Sequence, residues 1–466
     1  MVVLKLMVTE ISLAALGLLM LGWSFLFSSK TRQIQGIATA AALGAILVMT
    51  ILTYRSDSVL FGGVYQVDAW STFFKALFLV AGILVVLSSV SYVWRFESRT
   101  GDFYGLVVLA ILGMAVTVSA GELLTLYLGI ELMTLSFYVL AAFSTRDERS
   151  GEAGLKYLIL GAVSSAVMLF GVSLVYAATG STSLEVISSS LRFQPVMGAG
   201  VLLVLAGFCF KMAAVPFHMW APDVYQGAPI PVTAFLAVAS KGAALAALLR
   251  VFATGFDGGA ANWSFAVAVI SGLTMIAGNL MALAQSDIKR LLAYSSIAQA
   301  GYMMTSLAAM NEYALKGAAF YAMVYTFANI GAFAVATVAE VQTGSTEIKS
   351  LESLAERSPF LAAAMTACLL SLAGIPPLAG FVGKFYLFTG AVQAGWLWLA
   401  FIGLIMSMVS VYYYLSVARV MYTGQASTCE QMSLETATRL AVWVCLGATI
   451  LIGVYPGPLS MVVPLP

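Results

Sequence analysis

Apolar runs long enough to cross a bilayer follow one another along almost the whole chain, and no other feature limits the fold as much. A membrane-spanning helix needs about 20 mostly apolar residues. Runs bounded by polar or Gly/Pro breaks predict about fourteen such spans. They lie at 9–27, 34–53, 72–92, 103–120, 122–143, 153–178, 197–219, 231–253, 263–284, 290–309, 313–339, 359–393, 395–421 and 438–458. The composition agrees: 61% of residues are hydrophobic, 9% are charged, and the mean hydropathy is +0.97. A soluble domain keeps about a quarter of its residues charged. Lipid must therefore be the solvent, and the expectation is one all-α polytopic membrane domain over residues 1–466. The first run, Ile11 to Phe27, is too long for a signal-peptide core. It is followed by Ser28, Ser29, Lys30, Thr31 and Arg32 and then by another apolar run, so it reads as a retained helix.

The net charge of +1 suggests no nucleic-acid partner. Cys209, Cys368, Cys429 and Cys445 form no CxxC pair. Three of them lie in apolar runs, as small core residues do. No cluster of Cys, His or carboxylates has the spacing to hold iron, haem or zinc, so no cofactor and no metal is expected in this chain.

Loop charges orient the chain. With the N-terminus outside, the inward loops carry Lys30, Arg32, Arg95, Arg99, Arg146, Arg149, Lys289, Arg290, Lys349, Arg357, Arg419 and Arg439. The outward side carries Lys5, Arg55, Lys75, Arg192, Arg250 and Lys316. This two-to-one bias places both termini outside.

The remaining lysines, Lys156, Lys211, Lys241 and Lys384, fall within predicted spans, and one acid, Glu131, lies well inside one. A charge at mid-membrane costs about 2.5–3.5 kcal/mol on insertion scales. It persists where it faces a cavity, pairs with an opposite charge, or titrates. Burial disfavours an ammonium and a nearby carboxylate favours it, so an amine balanced between the two binds and releases a proton. Lys211 and Lys241 lie too deep to snorkel and are the leading proton-carrying candidates, with Glu131 as a charge-coupled acid. Their bland alternative is a structural ion pair between helices. Lys384 is comparable; its alternative is to cap carbonyls exposed by a break in its helix. Lys156 sits near a helix end and could snorkel to the inner surface. His218 is either a proton relay or a hydrogen-bonded core histidine. Glu122 reads as a solvated interface residue. Asn279, Ser295, Ser296, Gln299, Thr326 and Asn329 either join helices or hold water.

No short repeat is visible. Two spans are nonetheless interrupted by proline with a lysine close by: Lys211 to His218 around Pro216, and Ile375 to Lys384 around Pro376 and Pro377. Proline in a membrane helix frees carbonyls that need new partners. Two such breaks suggest two related halves, with broken helices at a transport path.

Three long motifs make the chain resemble the antiporter-like subunit N, or subunit 2, family of respiratory complex I. They are Lys211 to Thr233 (KMAAVPFHMWAPDVYQGAPIPVT), Ile288 to Tyr302 (IKRLLAYSSIAQAGY) and Gly374 to Tyr386 (GIPPLAGFVGKFY). The resemblance implies fourteen helices with two inverted-topology five-helix repeats, at about 103–253 and 263–421, each holding a broken helix. It implies a proton path through Glu131, Lys156, Lys211, Lys241 and Lys384. Gln299 stands where the family often has histidine, and an amide carries no proton at neutral pH. Proton passage from Lys241 to Lys384 would then depend on water and hydroxyls.

The implied function is that of a proton-translocating membrane-arm subunit of an NADH:quinone oxidoreductase. The redox groups (FMN, iron–sulfur clusters and quinone) would sit in partner subunits. The expected partners are further antiporter-like subunits and small hydrophobic subunits in a bacterial plasma membrane. Three alternatives stay open: a subunit of a multisubunit sodium/proton antiporter, a complex with a ferredoxin-type electron donor, and a scaffold whose lysines only fix helix packing.

Overall fold

The computed structural model describes residues 6–26, 32–52, 57–96, 99–190, 194–423, 431–432, 434–457 and 463–466. Lys5, Lys30, Arg55, Arg192 and Cys429 lie outside the described residues, as does the side chain of Arg32.

The fold is helical almost throughout. The α-helices of eight residues or more are α1 Val8–Leu26, α2 Arg32–Leu52, α3 Ala69–Ser89, α4 Thr100–Ser119, α5 Leu123–Ala141, α6 Glu148–Thr179, α7 Pro195–Met212 and α8 Trp220–Gly227. They continue as α9 Ile230–Gly255, α10 Ala260–Ala282, α11 Ile288–Ala309, α12 Glu312–Thr343, α13 Pro359–Ala373, α14 Ala379–Gln393, α15 Leu397–Thr423 and α16 Thr436–Val454. A two-stranded antiparallel hairpin, β1 Ser58–Leu60 and β2 Tyr65–Val67, precedes α3.

Eleven of the described helices are long and apolar enough to cross a membrane. α11 is not among them despite its 22 residues, because Lys289, Arg290, Ser295, Ser296 and Gln299 dilute its apolar character. α9 is enclosed along its whole length and α12 almost so. Both therefore form the centre, while outer helices turn Leu18, Leu19, Met408 and Leu451 to the lipid.

The expected span 197–219 stops being helical at Met212, with α8 starting just beyond it, and the expected span 359–393 resolves into two helices. α7 ends at Met212, Ala213 adopts a left-handed backbone (φ 55°), and a cis Val215–Pro216 bond leads to α8. α13 ends at Ala373, Gly374 is left-handed (φ 85°), and a cis Pro376–Pro377 bond leads to α14. Here glycine is needed twice over: its backbone suits the left-handed region, and a Cβ at 374 would meet the Lys384 side chain at 3.0 Å.

A short repeat that is inconspicuous in the linear sequence emerges at two chain crossings. α6 and α12, of 32 residues each, both end in Thr-Gly-Ser-Thr, at Thr179–Thr182 and Thr343–Thr346. Gly180 and Gly344 cap them with φ of 72° and 70°. The Leu123 N–H donates to Thr182 O and the Ile288 N–H to Thr346 O, each at 2.9 Å. The Thr182 hydroxyl donates to Glu122 at 2.8 Å, and the Thr346 hydroxyl donates to Asp287. Glu122, expected to be solvated, is thus held by Thr182 and also by Thr125 at 2.8 Å.

The reading of loop charges needs correction at three places. Glu131 is not the only embedded acid: Glu10 in α1 is buried and pairs at 2.8 Å with buried Lys75 in α3. Lys289 is likewise buried and donates to the Ala228 carbonyl at 2.7 Å. Arg250 is buried at the end of its α-helical stretch of α9, donating to both Asp68 oxygens at 2.8 and 2.7 Å and to Gln66 at 3.0 Å. Each of these cations lies near a helix end, where packing covers it and a carboxylate or carbonyl satisfies it.

Candidate proton path

Three lysines reach the interior from three different helices. Lys211 lies in the last turn of α7, Lys241 lies in α9 just after its π-helical stretch Leu236–Ser240, and Lys384 lies in α14. All three are buried, at 2%, 1% and 4% exposure. Among the described residues no carboxylate lies within ion-pair distance of any of them. Each amine is instead held by neutral oxygens. Lys211 Nζ donates to the Thr134 hydroxyl at 2.8 Å. Lys241 Nζ donates to the Ser296 hydroxyl at 2.8 Å and the Ser296 carbonyl at 2.9 Å. Lys384 Nζ donates to the Ser407 hydroxyl at 2.9 Å and to the Ala373 carbonyl, freed by the break, at 3.1 Å.

This arrangement suits a travelling proton. A hydroxyl accepts from an ammonium and can donate to the neutral amine, so it serves both protonation states. A carboxylate in contact would favour only the charged one.

Glu131 stands on α5 one turn before Thr134 and is half-buried. It accepts a hydrogen bond from the Ser165 hydroxyl of α6. Glu131 makes no direct pair with Lys211; the contact of the amine on α5 is Thr134.

Lys156 is not in the buried row. Its side chain is 42% exposed and pairs with Glu152 at 2.7 Å and Asp223 at 2.9 Å. Asp223 also pairs with Arg290 at 2.9 Å. Lys156, Glu152, Asp223, Arg149 and Gln226 line a polar cavity of about 270 Å³. His218 lies in the link between α7 and α8, half-buried, with its Nδ1 unpartnered, and makes no bond to any of the lysines. Sequence reasoning missed Asp223, although it stands within the long motif from Lys211 to Thr233. It also missed Thr134 and Ser407, which carry no signal in a chain rich in Ser and Thr. Cys209, Cys368 and Cys445 are free and buried. Among the described residues no group of three His, Cys, Asp or Glu side chains could hold a metal.

A family described as NADH:quinone oxidoreductase/Mrp antiporter, TM, matches residues 120–410. NADH-quinone oxidoreductase subunit N of Desulforamulus reducens is 48% identical, over 98% of this chain and 96% of its own length. The chain belongs to the subunit N family. The subunit N of Heliobacterium modesticaldum is 47% identical over 98% of both chains. Among solved structures, a chain of respiratory complex I from Thermus thermophilus superposes with a TM-score of 0.84 at 34% identity, covering 97% of this chain and 98% of that one. A chain of the Mrp complex from Dietzia shares the fold, with a TM-score of 0.88 at 20% identity over 98% and 96% of the two chains.

Proposed function

We propose that this chain translocates protons in the membrane arm of an NADH:quinone oxidoreductase, coupled to quinone reduction in partner subunits. The observation that carries this reading is the row of three buried amines, each held by hydroxyl or carbonyl oxygens and none by a carboxylate in contact. Glu131 modulates Lys211: loss of its attraction lowers the amine's hold on a proton, which then passes through Lys241 toward Lys384. Lys156 and Asp223, in the polar cavity at the inner end of α6, form the mouth through which protons enter. His218 stands aside from this path. The chain contributes no redox group; FMN, iron–sulfur clusters and quinone belong to its partners.

The repeated Thr-Gly-Ser-Thr turn supports two inverted halves at about 103–253 and 263–421. Five crossings separate Glu122 from Asp287 when α7 and α8 count as one, so the two turns lie at opposite membrane faces. With this topology both termini face outward from a bacterial plasma membrane.

The test begins with a mild-detergent purification of tagged protein. NADH:quinone reductase activity in the eluate, sensitive to quinone-site inhibitors, supports the assembly. An eluate holding only small hydrophobic subunits, without that activity, argues against it. Lys211→Ala is then expected to abolish or strongly reduce proton pumping in vesicles while assembly persists; normal pumping refutes its role.

A further inference from the structure

Between Lys241 and Lys384 lies a buried cluster of tyrosines that the lysine row does not explain. Tyr302, Tyr321, Tyr413 and Tyr414 are each at most 2% exposed, and Gln299 and Asn279 are fully buried among them. Burying so many hydroxyls is costly unless each is bonded. Here the bonds at the two amides are ordered.

Tyr321 donates its hydroxyl hydrogen to Gln299 Oε1. Gln299 Nε2 donates to the Tyr414 hydroxyl at 3.4 Å. Tyr414 also bonds Ser295, and its hydroxyl adjoins that of Tyr413. Tyr413 donates to Asn279 Oδ1 at 3.1 Å, and Asn279 Nδ2 donates to the Tyr302 hydroxyl at 3.1 Å. The Tyr302 hydroxyl faces Ser407, which holds Lys384. At the other end, Tyr325 stands one turn along α12 from Tyr321 with its hydroxyl buried and unbonded, and Ser296 holds Lys241.

The orientation of both amides is fixed by groups that only accept. Gln299 Nε2 donates to the Leu372 carbonyl at 3.1 Å, one of the carbonyls at the α13 break. Asn279 Nδ2 donates to the Met275 carbonyl at 2.7 Å. A carbonyl has no hydrogen to give, so neither amide can turn over without losing a bond. Each amide therefore takes a hydrogen from the hydroxyl on its Lys241 side and gives one to the hydroxyl on its Lys384 side. Both amides point the same way.

We propose that Gln299 and Asn279 are positioning residues that set the direction of a hydroxyl relay through Tyr321, Tyr414, Tyr413 and Tyr302, between Lys241 and Lys384. The inference rests on the lysine path described above. In each hop a hydroxyl oxygen takes the incoming proton as it releases its own to the next oxygen, so no charge remains behind. The amides carry no proton, so the hydroxyl beside each amide oxygen turns its O–H to a bridging water, which passes a hydrogen on to the hydroxyl beyond. In the last hop Ser407 takes the proton of Tyr302 and gives its own to the neutral amine of Lys384. After one passage every O–H points the wrong way. The pinned amides keep their orientation and favour the return of each hydroxyl, which readies the chain for the next proton.

The assembled complex is tested in vesicles, with NADH-driven proton transport per NADH oxidised measured in H₂O and D₂O. Gln299→Leu and Tyr414→Phe are compared with Lys241→Ala. Removing a relay group should cut transport about tenfold or more, and the slowed reset should enlarge the solvent isotope effect in Gln299→Leu. A merely structural role would leave the isotope effect unchanged. Normal transport and isotope effect in both relay variants, with Lys241→Ala impaired, overturns this inference alone. Normal transport in all three removes the lysine path as well. Tyr414→Phe keeps the ring packing, so the test stands even if Gln299→Leu fails to assemble.

Discussion

Thr134 shows how little of a buried site is carried by the residue that draws attention to it. Lys211 is conspicuous because an ammonium in an apolar run is expensive, and the same logic makes Lys241 and Lys384 legible in the sequence. Their oxygen ligands are not legible. Thr134 lies 77 residues from Lys211 in the chain, and a threonine in a membrane helix most often bonds its own backbone. Thr134 also does so, donating to Ile130 O at 2.7 Å, which leaves its oxygen turned to the amine. Lys156 shows the converse. Its place near a helix end allowed an exposed position, and the structure has it paired at the surface. Thr134→Val keeps the shape and removes the acceptor. Leaving the amine unsatisfied is expected to cost roughly 1–3 kcal/mol. Thermal unfolding in detergent should fall accordingly and proton transport should drop, while Thr134→Ser should preserve both. Unchanged transport in Thr134→Val would sink the idea that Thr134 presents the Lys211 proton.

At the scale of elements, the prolines made both helix breaks legible, since a missing N–H and a clash with the preceding turn leave a continuous helix little room. Two features had no such marker. The π-helical stretches of α9, Leu236–Ser240 and Val251–Gly255, flank Lys241–Arg250 without any proline. The paired turns after α6 and α12 share only Thr-Gly-Ser-Thr, too little to stand out until their backbone bonds are compared. Counted from Glu122 and Asp287, Glu131 and Ser296 occupy equivalent places, and so do Thr134 and Gln299. One half therefore presents an acid and a hydroxyl where the other presents a hydroxyl and an amide. Gly374 tests the second break. Alanine there must adopt a left-handed backbone, at a cost of about 1–2 kcal/mol, and its methyl would crowd Lys384. Gly374→Ala should lower both the thermal midpoint and the transport rate, whereas Gly447→Ala, with open space around it, should change neither.

At the scale of the whole molecule, the hairpin side of the fold is fastened by Asp68. It caps α3 through Ser71 at 2.7 Å and pairs with buried Arg250 of α9 at 2.7 Å. Burial pushes the Asp68 carboxyl up, but the Arg250 guanidinium and the Ser71 N–H outweigh it and hold it below the usual carboxylate range. A carboxyl with a depressed folded pKa stabilises the fold above its unfolded value, about 3.9. That contribution fades as the pH falls through the folded value. The thermal midpoint should lose nothing through Asp68 between neutrality and about pH 4, and should decline below that. Asp68→Ala strands a buried guanidinium, at a cost on the order of 3 kcal/mol at neutral pH, and should show a shallower acid decline. Equal acid slopes in the two proteins would remove Asp68 from the account. The overall α-helical membrane architecture was legible because composition and run length alone demand it. The burial of Glu10, Lys75 and Arg250 was not, because only packing tells a loop charge from a covered one.

One helix end has a mechanical meaning. The Leu372 carbonyl holds the Gln299 amide and the neighbouring Ala373 carbonyl holds the Lys384 amine, both at 3.1 Å. Half an ångström of travel stretches such a bond to about 3.6 Å, where it is no longer one. A tilt of α13 of that size would break both bonds in one motion, leaving Ser407 on the amine and Tyr414 beside the amide. The end of α13 is placed as a clutch would be: a force on the rod would loosen both plates together, with no charge added or removed at either.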